Sequence, residues 1–142
     1  MAPSPSGRSP VKGEPVSITP TFFRSVNDGI DLEGVEQIVS GSPYLVDNGE
    51  ICTVLDVGFQ ESRFTTLSTP RTAIGKLADG KMILVSTSAA TIQQMRELML
   101  QLGCVEAMNL DGGGSTALAY DGQIIRTPGR KLTTTLHVFV ED

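Results

Sequence analysis

Residues Val105 to Ala119 read VEAMNLDGGGSTALA. A short apolar run from Val105 to Leu110, interrupted by Glu106 and Asn109, leads into Asp111, three consecutive glycines and Ser115-Thr116; an apolar segment resumes at Ala117 to Tyr120. The pattern is that of strand, tight glycine loop, strand. Glycine loses more backbone entropy on folding than any other residue, so three in a row belong where φ must be positive or where the backbone passes very close to something. Asn109, Asp111, Ser115 and Thr116 set an amide, a carboxylate and two hydroxyls at the lips of this loop. The N–H groups of Gly112, Gly113, Gly114 and Ser115 can form an anion-binding concavity. An ordinary β-hairpin turn uses the same Asp and Gly residues, so the loop alone leaves a ligand site and a plain turn both open. Such a loop requires positive φ at one or more of its glycines.

Upstream of the loop, Thr91 to Leu102 has the signals of a helix. Thr91 with Gln94 forms a capping box, apolar residues fall at Ile92, Met95, Leu98, Met99 and Leu102, and Gly103 supplies the stop. Its apolar stripe must lie on a sheet, and the strand from Val105 follows at once. Pro70 opens a hairpin with arms RTAIGKLA and KMILVSTS around Asp79-Gly80. Earlier, PYLV and EICTVLDV flank Asp47-Asn48-Gly49 between Pro43 and Asp56, where Asn-Gly is a strong hairpin signal. After the loop, Asp121-Gly122 turns a further hairpin, Gly129 sits in a loop with Pro128, Arg130 and Lys131, and Thr134 to Val140 has the pattern of a last strand. The whole is expected to be α+β, a largely antiparallel β-sheet meander with one main amphipathic helix packed on it.

Five of the eight prolines fall in residues 1–20, which marks a flexible leader ahead of a single domain over residues 21–142. The acidic patch NDGIDLEGVE lacks the spacing of an EF-hand loop and suits a solvated loop followed by a short turn or strand. At 142 residues the chain can bury a core by itself, and a net charge of -5 argues against nucleic acid or an anionic membrane as partner. No apolar run approaches a membrane span, and Met1 to Pro20 has no apolar core of a signal peptide. Cys52 and Cys104 sit in apolar contexts and suit small core residues, with a single disulfide between them left open. The lone histidine, His137, fits a strand face. No His/Cys spacing suits zinc, and two oxygens from Asp111 and Asn109 are too few to assert a cation, so no metal or other cofactor is expected.

PRTAIG (Pro70 to Gly75), the amphipathic helix ending in LGC and AMNLDGGGST (Ala107 to Thr116), in this order and spacing, resemble the phosphodiester glycosidase family. The likeness runs from Gly41 to Val140 and takes in GSPYLVDNGE. It departs at STSAATIQQ, where many members carry an Asp-Gly-Arg and a further Gly, and before Gly41, where the family's N-terminal strand segment has no counterpart unless FFRSVNDG is one. A domain truncated at its N-terminus is therefore expected. Sheet edges left uncovered pair with other chains, so a homo-oligomer, most simply a two-fold dimer, is expected as well. Light scattering at roughly ten micromolar or above, where such association shows as a dimer mass, checks it.

The resemblance implies hydrolysis of a sugar 1-phosphodiester, including phosphodiesters of cell-wall or extracellular polysaccharide, by a protein outside the cell or at its surface. On this reading Asp111 serves the oxocarbenium-like state at the anomeric carbon, and Arg71 offers a planar fork to the phosphate. Thr72 and Asn109 hold sugar hydroxyls or fix the carboxylate, while Gly112, Gly113, Gly114, Ser115 and Thr116 bind substrate. The usual need for two carboxylates is relaxed, with Asp56, Glu61 and the family's N-terminal part left open as sources of a second. The side chains of Arg71 and Asp111 are expected to converge on one cleft. Two rivals are a carbohydrate-binding module without activity and a serine hydrolase with Gly113 to Ala117 as elbow and His137 as base. The elbow demands strand, turn, helix, whereas here strand follows.

Overall fold

The computed structural model describes residues 23–25, 28–29, 33–53, 62 and 66–139. Residues 1–20, Asp56, Glu61, the end of the EICTVLDV arm and Val140 lie outside them. The chain divides into two compact units, Met1–Val35 and Glu36–Asp142. The first carries a small antiparallel pair, β1 (Phe23–Ser25) with β2 (Asp28–Gly29).

The second unit holds β3 (Tyr44–Asp47), β4 (Glu50–Ile51), β5 (Thr69–Leu77), β6 (Met82–Ala90), α1 (Ile92–Gln101), β7 (Cys104–Asn109), β8 (Leu118–Tyr120) and β9 (Gln123–Arg126). Five strands form one sheet in the order β4-β3-β7-β5-β6, every neighbouring pair antiparallel, and β8 with β9 forms a small second sheet. This is the α+β class the pattern implies. Both hairpins around the central strands form as expected, and in the first the turn residues Asn48 and Gly49 have φ of 52° and 78°. Positive φ at both positions is the turn whose twist matches that of the strands it joins.

The sheet is not wound in sequence order: β7 is inserted between β3 and β5. Because β6 and β7 are each antiparallel to β5, they run parallel to one another, and α1 carries the chain from one to the other across β5. The helix begins at the expected capping box: the Gln94 N–H donates to Thr91 Oγ1 at 3.1 Å, and the Thr91 N–H donates to Gln94 Oε1 at 2.9 Å. Its buried side chains are Ile92, Met95, Arg96 and Met99. Ile92, Met95 and Met99 join Val46, Ala73 and Ala107 in the core, which is completed by Leu45, Ala90 and Cys104. Small residues line the sheet where the helix presses closest; a Cβ at Gly75 would stand 2.5 Å from Cys104 Sγ and 2.7 Å from Met99 Cε. Full burial of Met95 and Met99 is worth about 1.5–3 kcal/mol each.

Two expectations need correction. Leu102 is 46% exposed, because it caps α1 just before Gly103 (φ 84°) turns the chain away, while Arg96 takes a place on the buried face. Residues 134–139 form no strand, since no ladder partner stands beside them among the described residues, and Phe139 is 86% exposed. His137 stacks on Phe139 with ring centroids 6.2 Å apart. The disulfide left open between Cys52 and Cys104 is not formed; Cys104 is a buried core residue as expected, Cys52 is half-buried, and burial pushes the Cys104 thiol up. Among the described residues no helix is long and apolar enough to cross a membrane, and no group of three or more His, Cys, Asp or Glu could hold a metal.

Candidate active site

The end of β7 is tied to strands on both sides, which sets the position of the glycine loop. The Asn109 N–H donates to Pro43 O at 3.0 Å, the Leu110 N–H to Thr72 O at 2.8 Å, and Asn109 Nδ2 to Ser42 O at 3.0 Å and Leu110 O at 2.7 Å. Asn109 is buried, and its Oδ1 has no partner among the described residues. From β5, Thr72 Oγ1 donates to Asp111 O at 2.5 Å, 39 positions away in sequence. The expected meeting of the PRTAIG strand with the loop is therefore observed at the level of the backbone.

Gly112 threads against β5: a Cβ there would stand 2.7 Å from Pro70 O and 3.7 Å from Arg71 Cα. Its φ of -137° is open to any residue, so the demand for glycine here is steric. Gly113 has φ 58°, the positive value the loop was expected to need, and starts a 3-10 turn over Gly113–Ser115. Two of the four N–H groups assigned to an anion concavity are spent inside the loop: Gly112 donates to Asp111 Oδ1 at 2.9 Å and Ser115 to Gly112 O at 3.1 Å. Those of Gly113 and Gly114 precede the first hydrogen bond of the turn. Ser115 and Thr116 are buried, and Thr116 Oγ1 has no partner among the described residues.

Asp111 and Arg71 do not bring their side chains together. The Arg71 residue is only 4% exposed; its Nε donates to Ala90 O at 3.2 Å and its Nη2 to Leu67 O at 3.0 Å. Side chains alternate along a strand, so Arg71 and Thr72 leave β5 on opposite faces, and it is Thr72 that reaches the loop. Burial pushes the Arg71 guanidinium pKa down. Lysine at this position keeps the charge but loses the fork and is more strongly hydrated. Arg71→Lys should therefore cost about 1–3 kcal/mol of stability through a buried carbonyl left unpaired. A thermal melt checks this, and an unchanged midpoint would show that the two carbonyl bonds contribute nothing net.

The arginine that meets Asp111 is Arg130. Its Nη2 stands 3.3 Å from Asp111 Oδ2, its Nε donates to Ser115 Oγ at 2.8 Å, and Nη2 donates to the same hydroxyl. The Gly129 N–H donates to Gly114 O at 2.9 Å and latches this second loop onto the first. The side chains of Asp111 and Arg130 are 76% and 65% exposed. The glycine loop with its carboxylate and arginine thus faces solvent above a buried, hydrogen-bonded base. Sequence reasoning left Arg130 as a loop residue; the glycine before it was the available signal, since Gly129 packs directly on Gly114.

Ser115 has no histidine on its hydroxyl among the described partners: the hydroxyl holds Arg130, and His137 Nε2 lies 2.7 Å from Thr135 Oγ1. The chain after the 3-10 turn continues into β8, so the strand, turn, helix order of a hydrolase elbow is absent here.

Comparison with known proteins accords with this geometry. The chain is 29% identical over 124 residues to N-acetylglucosamine-1-phosphodiester alpha-N-acetylglucosaminidase of Bos taurus, covering 76% of this chain and 24% of that relative. It spans, then, about a quarter of the relative's length. A hypothetical protein from Synechocystis superposes with a TM-score of 0.54 at 35% identity, over 62% of this chain and 18% of the other. The catalytic domain of the zebrafish N-acetylglucosamine-1-phosphodiester alpha-N-acetylglucosaminidase superposes with a TM-score of 0.53 over 63% of this chain and 34% of that one, and at 24% identity it speaks for the fold alone. The phosphodiester glycosidase family model matches residues 10–139, which takes in every element from β1 to β9 and the whole glycine loop, and the chain belongs to that family.

Proposed function

We propose that this domain hydrolyses the bond between the anomeric carbon of a sugar and the oxygen of a phosphodiester, with N-acetylglucosamine as the sugar to test first. One observation carries the reading. In a chain of this family, the Asp111 carboxylate stands exposed at the tip of the glycine loop while its main chain is pinned by Thr72 and its Oδ1 is held by the Gly112 N–H. A carboxylate fixed in this way meets the demand of an oxocarbenium-like state for a positioned negative charge.

The reaction balances without a cofactor. The glycosidic bond breaks with its electron pair on the phosphate oxygen, water supplies the oxygen that bonds to the anomeric carbon, and the proton it loses passes to solvent. A phosphomonoester is an acidic leaving group, so the general acid required for an ordinary glycoside is less needed. Thr72 and Asn109 serve by fixing the loop, since their side chains hold Asp111 O, Ser42 O and Leu110 O. Arg71, buried on its two carbonyls, supports the same strand from behind.

Release of free sugar from the methyl phosphodiester of N-acetylglucosamine 1-phosphate by the full chain is the direct test. Saturable binding with no release would replace hydrolysis by carbohydrate binding.

A further inference from the structure

We propose that Arg130 recognises the phosphate of the substrate and receives the charge that builds on it as the glycosidic bond breaks. The first half rests on geometry; the second rests on the hydrolytic reading of Asp111. In a chain of net charge -5, an anionic substrate needs a local cation. Arg71 is committed to the carbonyls of Leu67 and Ala90, whereas Arg130 stands in the open beside the candidate carboxylate.

A guanidinium has five N–H donors in a planar fork and offers more than one edge. The Nε–Nη2 edge of Arg130 is held by Ser115 Oγ, and Nη2 also reaches Asp111 Oδ2. Nη1 makes no hydrogen bond among the described residues, and the side chain is 65% exposed, so the two N–H groups of Nη1 remain open to a ligand. At 3.3 Å the contact to Asp111 is longer than the ~2.7–2.9 Å of a strong charge-assisted bond, which leaves the cation under-neutralised. An exposed Arg–Asp pair adds little to stability. This one is nonetheless held in place twice, by Ser115 and by the Gly129 latch on Gly114.

A phosphate oxygen that accepts from Nη1 stands ~2.8 Å from the guanidinium. The anomeric carbon bonded to that phosphate then lies beside Asp111, which neighbours the same guanidinium, with the carboxylate toward the sugar and the arginine on the leaving group. The leaving phosphate gains one negative charge as the bond breaks, and a preorganised guanidinium is stabilising there at no cost in reorganisation.

The test compares the wild-type full chain with Arg130→Gln and Arg130→Lys on two substrates, the methyl phosphodiester of N-acetylglucosamine 1-phosphate and p-nitrophenyl α-N-acetylglucosaminide, alongside calorimetric titration with inorganic phosphate. Arg130→Gln should raise KM and lower kcat for the phosphodiester, with kcat/KM down roughly 10- to 100-fold, the weight of a charge-assisted contact. Its effect on the neutral glycoside should be much smaller. Arg130→Lys should recover part of the KM but less of kcat, because the charge returns without the fork. Equal losses on both substrates would show that Arg130 only steadies Asp111, and unchanged kinetics would show that it does nothing; either overturns the proposal. Should the wild type hydrolyse neither substrate, the hydrolytic reading fails on its own and the titration decides recognition. Phosphate binding abolished in Arg130→Gln upholds that half, and binding that is absent or the same in both proteins overturns it.

Discussion

Replacing Asp111 by asparagine is expected to lower turnover of a sugar 1-phosphodiester by about 100-fold or more while leaving the melting temperature nearly unchanged. The two halves have separate grounds. Asparagine is close to isosteric and can still accept from the Gly112 N–H, so the loop keeps its shape; what goes is the negative charge. The side chain is 76% exposed, and its ion pair with Arg130 is exposed on both sides, so little stability depends on it. Thermal melts and steady-state kinetics on the same preparations check both halves. A variant as active as wild type would remove Asp111 from the chemistry, and a loss of activity matched by a fall in stability would make it a structural residue.

Gly112→Ala is expected to damage both stability and activity, and Gly114→Ala neither. At Gly112 the added Cβ would meet Pro70 O at 2.7 Å, and the obstacle is backbone, which cannot swing aside as a side-chain tip can. Overpacking of this kind costs about 1–3 kcal/mol. The loop must also move off β5, taking Asp111 with it, and a misplacement of ~1 Å at a reacting group can cost about 100-fold in rate. At Gly114 nothing lies within 4 Å of an added Cβ, so alanine there should stay within about 0.5 kcal/mol of wild type. Parallel melts and rates for the two variants check this. Equal behaviour of the two alanines would mean that the glycines serve chain flexibility in general and not the one close crossing at Pro70.

Much of the fold was legible in the chain because its signals are local. The capping box of Thr91 and Gln94 acts over three positions, and the Asn48-Gly49 turn over two. The apolar stripe at Ile92, Met95 and Met99 repeats with the period of a single helix, and each of these was found where the residues placed it. Expectations failed where a pattern needed a partner. Residues 134–139 alternate as a strand should, yet an alternating segment becomes a strand only when another backbone accepts its hydrogen bonds. Leu102 fits the helical stripe by spacing, but the stripe stops burying where the helix runs past the sheet and Gly103 turns it.

The candidate site divides along the same line. By itself the sequence determined that a carboxylate, an amide and two hydroxyls surround three glycines at the end of a strand, and that the chain carries an α+β fold with one main helix. Those features lie within one stretch of backbone, where spacing along the chain is spacing in the molecule. Only the tertiary structure decided which arginine stands at that carboxylate. Arg71 begins the strand beside the loop, but the alternation of side chains along β5 buries its guanidinium on Ala90 O and Leu67 O and gives the loop Thr72 instead. Arg130 comes from the other side because the Gly129 N–H finds Gly114 O, a pairing of two irregular loops that no periodicity encodes. It is visible only once β7 has been inserted between β3 and β5, for that insertion sets where the loop ends and therefore what can reach it.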